Sequence, residues 1–341
     1  MILVTGGLGF IGSHTVVELV NNGNSVVIVD NLQNSKLNNL DKIYKLCDEK
    51  KITYFNNDIL DNDKMVSIFN LFHPDTVIHF AAYKAVSESI QKPLEYYNNN
   101  VNGTLQILKL CKHYNVKNFI FSSSATVYGN SKSPLFENSP TGIGITNPYG
   151  QSKYMVENIL NDLSISSNMK IISLRYFNPV GSHPSGLLGE DPNGIPNNLM
   201  PYIIRVAVKN NLDFNLDDVY NHLNIFGKDY NTDDGTGVRD FIHVVDLAKA
   251  HVAAYKKIHL LDNNYEVYNI GSGYGTSVLK LVETFEKVNN VSIPYKIKDR
   301  RHGDIDIVYC NCDKAKNNLD WIAKKTIEDI CIDSYNYIKF N

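Results

Sequence analysis

The feature that most constrains this chain is a run of glycines set directly behind a short apolar strand. Residues 2–5 read as a β-strand, and Thr5-Gly6-Gly7-Leu8-Gly9-Phe10-Ile11-Gly12 then opens a helical stretch at 11–21. Gly7-x-Gly9-x-x-Gly12 and Gly6-x-x-Gly9-x-x-Gly12 are both present. Glycines at these spacings let the backbone turn tightly, admit a pyrophosphate to the main chain and leave the first N–H groups of a helix facing its charge. Glycines also serve ordinary turns, so context decides. A second strand over 25–29 ends at Asp30, eighteen residues past Gly12. A carboxylate there accepts from ribose hydroxyls and repels a 2′-phosphate, which predicts NAD in preference to NADP. Asp58, behind a third strand, is a further candidate for the adenine edge.

Short β-branched runs alternate with helical stretches through the first half. Strands are predicted at 2–5, 25–29, 53–56, 76–80, 118–122 and 170–174, and helices at 11–21, 63–72, 93–114 and 148–163. This alternation predicts the α/β class, with a doubly wound parallel sheet of Rossmann type. A chain of 341 residues exceeds one ordinary core. After Asn178 the texture changes to a Pro- and Gly-punctuated stretch reaching Pro201, which marks a boundary. The expected organisation is an NAD-binding domain over 1–177 and a smaller α/β substrate domain over 178–341, discontinuous, with part returning to the first domain. A polar insertion around 210–222 precedes a strand-like 224–227. The helix at 93–114 has two apolar faces, Val101, Leu105 and Leu108 on one and Ile107, Leu110 and Cys111 on another. One face covers the sheet. The other either meets a second copy or is shielded by the helix around 155–163. A homodimer through the helices near 93–114 and 148–165 is the expected assembly.

A net charge of −3 supplies no basic field for nucleic acid or anionic lipid, and no apolar run reaches membrane-spanning length. Neither is an expected partner. The opening apolar run is too short for a signal peptide, so the expected location is the cytoplasm. Five scattered cysteines suit free thiols in a reducing compartment. Cys310 and Cys312 lack a second pair at ligand spacing and read as two positions on one strand face, so no metal is expected.

Asn147-Pro148-Tyr149-Gly150-Gln151-Ser152-Lys153 carries a Tyr-x-x-x-Lys pair, and a helix beginning at Pro148 brings both side chains to one face. Tyrosine is a poor base at neutral pH, but a nearby ammonium and a nicotinamide cation favour phenolate. Ser122-Ser123-Ser124 ends the fifth strand, at the edge where ligands collect in such sheets. Ser124 is placed to hydrogen-bond a reacting oxygen.

With a cofactor loop after the first strand, a serine after the fifth and a tyrosine and lysine on the next helix, the chain resembles the extended branch of the short-chain dehydrogenase/reductase superfamily. Within that branch VIHFAA (77–82), KAVSE (84–88), NNVNGT (99–104), FIFSSSATVYG (119–129), RYFNPVG (175–181), PNNLMP (196–201) and GTGVRDFIH (235–243) look like the UDP-galactose 4-epimerases, over nearly the whole chain. The resemblance implies NAD at Gly6, Gly9, Phe10, Ile11, Gly12, Asp30, Asn31, Asn34, Ser35, Asp58, Ile59, Phe80, Ala81, Lys84, Asn99, Ser122, Tyr149, Lys153 and Phe177. It implies Ser124, Tyr149 and Lys153 as the catalytic set. For the UDP-sugar it implies Ser124, Tyr149, Asn178, Asn198, Leu199, Phe226, Arg239, Arg301, Asp304 and Val308. Two arginines offering forked donors suit a pyrophosphate, and Asp304 suits ribose hydroxyls.

The implied reaction interconverts UDP-glucose and UDP-galactose by inversion at the sugar's fourth carbon. A nucleotide-sugar 4,6-dehydratase resembles such enzymes but carries Thr-Asp-Glu after the fifth strand, where Ser124-Ala125-Thr126 stands here. A non-catalytic NAD sensor would not need Ser124, Tyr149 and Lys153 together. Two departures bear on the substrate. The insertion at 210–222 precedes the uridine-facing strand. Val308 stands where, in the family, a tyrosine excludes N-acetyl sugars and a small residue admits them, so UDP-N-acetyl sugars are an expected second substrate.

Overall fold

Val26-Val27-Ile28-Val29 is apolar at every position, so a strand made of it needs cover on both faces. The computed structural model, which describes residues 1–191, 196, 198–211, 217–301 and 303–340, supplies that cover. The first half contains β1 (Ile2–Thr5), α1 (Phe10–Asn21), β2 (Val26–Asp30), α2 (Asn38–Tyr44), β3 (Ile52–Asn56), α3 (Asn62–Phe72), β4 (Thr76–His79), α4 (Val86–Gln91), α5 (Pro93–Tyr97), α6 (Gly103–His113), β5 (Asn118–Ser124), α7 (Pro148–Ser166) and β6 (Lys170–Tyr176). Then come β7 (Asn178–Val180), α8 (Leu199–Asn211), β8 (Leu223–Phe226), β9 (Val238–Arg239), β10 (Phe241–His243), α9 (Val244–Lys257), β11 (Tyr265–Ile270), β12 (Thr276–Ser277), α10 (Val278–Asn289), β13 (Tyr295–Lys298), β14 (Ile307–Val308), α11 (Asp313–Leu319) and α12 (Ile327–Phe340).

The large sheet runs β11-β6-β5-β4-β1-β2-β3, each neighbouring pair parallel. Chain order reverses at β1, which lies between β4 and β2, and the crevice beyond the carboxyl ends at such a switch point is where ligands bind in this architecture. Alternate strand residues serve opposite faces. Val4, Ile28, Ile120 and Ile172 pack with Val16 and Val20 of α1 and Leu247 of α9, whereas Leu3, Val27, Val77 and Phe119 pack with Phe69 of α3, Ile107 of α6 and Leu160 of α7. A third core joins Ile203 of α8, Ile225 of β8, Phe285 of α10 and Tyr335 of α12.

The chain beyond 178 returns twice to the large sheet. α9 packs on its face beside α1, and β11 extends its edge by pairing with β6. The sequence did not signal β11, because Glu266 and Asn269 interrupt its apolar run, as an edge strand allows. The helix expected at 93–114 is three pieces, α5, a wide π turn over Asn98–Asn102, and α6. That turn buries Asn99 and Asn100. Asn100 then receives the Tyr83 amide at 2.8 Å and donates to Ser152 Oγ at 3.1 Å, tying the loop after β4 to α7. α2 and α4 are short helices that the pattern did not single out. Residues 192–195 and 197 of the stretch after Asn178, and 212–216 of the polar insertion, lie outside the described residues. Among the described residues no helix is long and apolar enough to cross a membrane. Cys310 and Cys312 do not sit within a strand. They lie just past β14, where Cys310 makes an isolated bridge with Leu135, and their sulfurs are 3.3 Å apart as free thiols.

Candidate active site

Each glycine of the first loop answers a different local demand. Gly6 has φ 71° and its amide donates to Val29 O at 2.8 Å, turning the chain sharply out of β1. A Cβ there would lie 2.7 Å from the Ala81 nitrogen, and one on Gly12 would drive into the Gly6 carbonyl oxygen. A Cβ on Gly9 would meet only that oxygen, at 3.3 Å. The space beside Gly9 is therefore a cradle that a side chain would fill and a dinucleotide's pyrophosphate fits. α1 begins at Phe10 and Ile11 without a side-chain cap, the arrangement in which first-turn amides serve an anion.

Asp30 is buried at the end of β2. Its carboxylate accepts from the Leu8 amide at 2.9 Å, the Leu32 amide at 2.9 Å and Ser35 Oγ at 2.7 Å. A carboxylate offers roughly four acceptor positions, so one remains for a ribose hydroxyl. The residue thus caps the loop and suits the cofactor at once. Asn31 donates to Asp58 at 2.8 Å, and Asn34 beside it is exposed. Ile59 is buried against Gly103, Phe80 packs on the His251 ring at 4.8 Å, Asn99 donates to Asn100, and Phe177 is buried. Asn31, Ile59 and Phe80 follow the carboxyl ends of β2, β3 and β4, and Phe177 follows that of β6. Lys84 is instead ion-paired with Glu190 at 2.7 Å.

Asn147 caps α7 by accepting from the Gly150 amide at 2.8 Å, and Pro148 occupies the first helical position, so Tyr149 and Lys153 share a face. The Lys153 ammonium lies 5.9 Å from the Tyr149 ring centre and donates to the Ser122 carbonyl at 2.6 Å. Ser124 Oγ accepts from both the amide of Thr126, at 3.2 Å, and its hydroxyl, at 2.9 Å. With both lone pairs engaged, Ser124 has its own proton to give, and it bonds Tyr149. Burial pushes the Tyr149 phenol above its ordinary range and the Ser124 bond pulls it back. The same burial brings Lys153 down to about 7, against the pull of Glu157. Burial thus opposes the pull toward phenolate that the lysine and a nicotinamide cation are together expected to exert.

The residues expected to hold a nucleotide sugar fall into two sets. Arg301 caps the Phe226 ring at 4.1 Å, Arg239 faces Asp304 at 3.8 Å, and Tyr230 donates to Asp304 at 3.4 Å. Val308 of β14 stands opposite Arg239 of β9 and packs in a small cluster with Ala125, Val127 and Phe177, just past Ser124. Gly303 approaches Thr146, immediately ahead of α7, which brings the arginine loop to the tyrosine helix. Asn178 pairs with Phe241 in the β7–β10 ribbon. Asn198, one residue before Leu199 at the start of α8, belongs to the other set and donates to Glu190 at 2.6 Å.

Comparison with known proteins bears on this arrangement directly. The model of the NAD dependent epimerase/dehydratase family matches residues 2–271. The chain belongs to that family. It is 49% identical to UDP-glucose 4-epimerase 2 of Arabidopsis thaliana, covering 100% of this chain and 95% of that protein. The UDP-glucose 4-epimerase of Bifidobacterium longum, solved in complex with NAD+ and UDP, superposes with a TM-score of 0.92 at 48% identity, covering 100% of this chain and 98% of that one. The UDP-Glc/GlcNAc 4-epimerase of Campylobacter jejuni superposes at 0.82 with 34% identity, covering 100% and 99%.

In this epimerase/dehydratase family member, three polar residues near the site escaped sequence reading. Glu190 accepts from both Lys84 and Asn198, and so ties the loop after β4 to the start of α8. Nothing local announces a contact across 106 residues. Thr126 orients Ser124, and its place two residues on was a legible signal. Glu157, one turn beyond Lys153, pairs with Arg175 at 2.7 Å and accepts from Ser123, sealing a buried ion pair behind the lysine.

Proposed function

We propose that this protein interconverts UDP-glucose and UDP-galactose by reversible epimerisation at C4, using a tightly held NAD. The observation that carries the reading is the joining of Ser124, Tyr149 and Lys153 at the carboxyl edge of β5, in the same sheet whose first loop is the glycine cradle, with Val308 opposite Arg239 packed near Ala125. NAD bound in that cradle would supply a reversible hydride acceptor for C4 of the sugar. Gly6, Gly9, Gly12 and Asp30 would hold it. Tyr149 takes the proton of the C4 hydroxyl and later gives it back, while Ser124 donates to the tyrosine oxygen and Lys153 supplies positive charge behind it. Arg239 and Arg301 exchange their present partners, Asp304 and the Phe226 ring, for the diphosphate, and so grip the nucleotide while the hexose turns over. No carboxylate stands at 125 or 126 to eliminate water, which disfavours the dehydratase reading.

Incubating the purified protein with UDP-galactose and no added cofactor tests this. UDP-glucose formed without net NADH is the expected result. No turnover, or a 4-keto-6-deoxy sugar, would refute it.

The finer readings rest on separate observations. Val308 is small and half-buried beside Arg239, which favours turnover of UDP-N-acetyl sugars as well. Val308→Tyr should lower N-acetyl activity selectively, and an unchanged ratio of the two activities would contradict this. Two copies pair through the helices at 93–114 and 148–165, where Leu94, Met155 and Ile165 are exposed apolar side chains. A monomer in sedimentation would count against it. Five cysteines, odd in number and scattered along the chain, favour a reducing cytoplasm. The chain is organised as a cofactor part over 1–177 and a discontinuous substrate part beyond it, rejoined through α9 and β11.

A further inference from the structure

Behind Ser122 lies a buried polar chain that the proton transfer does not use. The Tyr176 hydroxyl, at the end of β6, is hydrogen-bonded to His251 Nε2 on α9, and the Ser122 side chain bonds the same hydroxyl. The direction of each proton follows from the far end. His251 Nδ1 lies 2.9 Å from the Leu247 carbonyl, which can only accept, so Nδ1 carries the hydrogen. Burial brings His251 down to about 4, so at neutral pH the ring is uncharged and Nε2 is a bare acceptor. Tyr176 therefore donates to His251, and Ser122 donates to Tyr176. Both far groups are sealed from water, Tyr176 5% and His251 0% exposed. The carbonyl of Ser122 meanwhile accepts from Lys153 at 2.6 Å. A buried hydroxyl and imidazole are costly where apolar side chains would pack, unless they hold something in place.

We propose that Tyr176 and His251 are positioning residues for the proton-transfer pair, holding Ser122 so that its carbonyl steadies the Lys153 ammonium and its hydroxyl oxygen meets the cleft as an acceptor. This rests on the reading of Tyr149 and Lys153 given above. The groups facing Lys153 are few. Glu157 and Tyr149 share its helix, His79 of β4 is kept neutral by burial, and the Phe121 ring lies 4.8 Å away. Glu157 is already committed to Arg175. Loosening Ser122 therefore removes a hydrogen bond to the charged lysine, and the lysine releases its proton more readily.

Tyr176→Phe deletes one oxygen and keeps the ring, His251→Leu deletes the acceptor, and His251→Gln keeps an acceptor near the place of Nε2. The readouts are the titration of Lys153, followed by NMR of the lysine-labelled protein with Lys153→Met identifying the signal, and kcat and KM for UDP-galactose. Tyr176→Phe and His251→Leu are expected to lower the lysine midpoint by about half a unit or more and to reduce kcat about tenfold at constant KM. His251→Gln is expected to restore both. The titration needs no turnover, so an inactive parent protein would refute the epimerase reading while the titration still decides this one. An unmoved lysine midpoint in Tyr176→Phe overturns the proposal, as does an equal fall in His251→Gln and His251→Leu. Should His251→Leu fail to fold, Tyr176→Phe decides by itself.

Discussion

The glycine loop and the arginine cluster are both suited to a diphosphate, yet they are built in opposite ways. Around Gly6, Gly9 and Gly12 the fit is made by backbone, with Asp30 locked by three donors and neighbours that leave no room for a side chain at two of the three glycines. Around Arg239 and Arg301 the fit is made by long side chains that already have partners, a carboxylate for one and an aromatic ring for the other. A site made of main chain is complete before its ligand arrives and yields little on release. A site made of self-paired side chains must trade partners each time. That contrast matches a cofactor regenerated within one turnover and a sugar nucleotide that has to come and go.

The comparison can be broken most decisively at the tyrosine that both sides serve. Tyr149→Phe should reduce kcat by about 10²- to 10⁴-fold. It should leave copurified NAD and thermal stability unchanged, as read by nucleotide release on denaturation and by calorimetry. Near-normal turnover would remove Tyr149 from the chemistry. Gly12→Ala strikes the backbone side, and its Cβ collides with the Gly6 carbonyl, so the protein should purify without bound nucleotide. Full retention would mean that the loop is not the cradle. On the side-chain side, Arg301→Ala should raise KM for UDP-galactose about 10- to 100-fold, the worth of hydrogen bonds to a charged group, with NAD content untouched. A parallel loss of NAD would erase the distinction between the two regions.

Acid offers the mildest contrast. Burial holds His14 and His79 down to about 3 and His251 to about 4, all in helices and strands of the large sheet. Their folded pKa values lie below the unfolded one near 6.5, so the unfolded chain binds more protons between these limits. Stability is therefore full above about pH 6.5 and lost as pH falls toward 4. Tm measured from pH 7 to 5 should fall steadily, and a flat profile would contradict the burial of these rings as neutral species.

How much was legible in the sequence follows the same division. The glycine loop, Asp30 and the Tyr149–Lys153 pair are short-range devices, fixed by turns and helical spacing within a few tens of residues, and the reading placed them on the right elements. Glu190 was invisible because its partners lie 106 and 8 residues away along the chain, and only folding brings Lys84 and Asn198 to the same oxygen. β11 was missed because an edge strand tolerates Glu266 and Asn269. The burial of Tyr149 was not legible, because proximity to a lysine is readable from spacing, whereas the burial that opposes its pull is a property of the packed core.

The wide turn at Asn98–Asn102 makes this geometry depend on chain length as well as on residue type. It spends one residue more per turn than the helices on either side, with consecutive residues of a regular helix about 100° apart. Deleting a single residue there would let α5 and α6 fuse into one ordinary rod with the faces on either side still in register, because the wide turn is what absorbs the extra residue. Ile107 and Cys111 would keep their side of the sheet, but the two inward asparagines would lose their seat. A gap of one position in this segment is thus a heavier change than most substitutions within it.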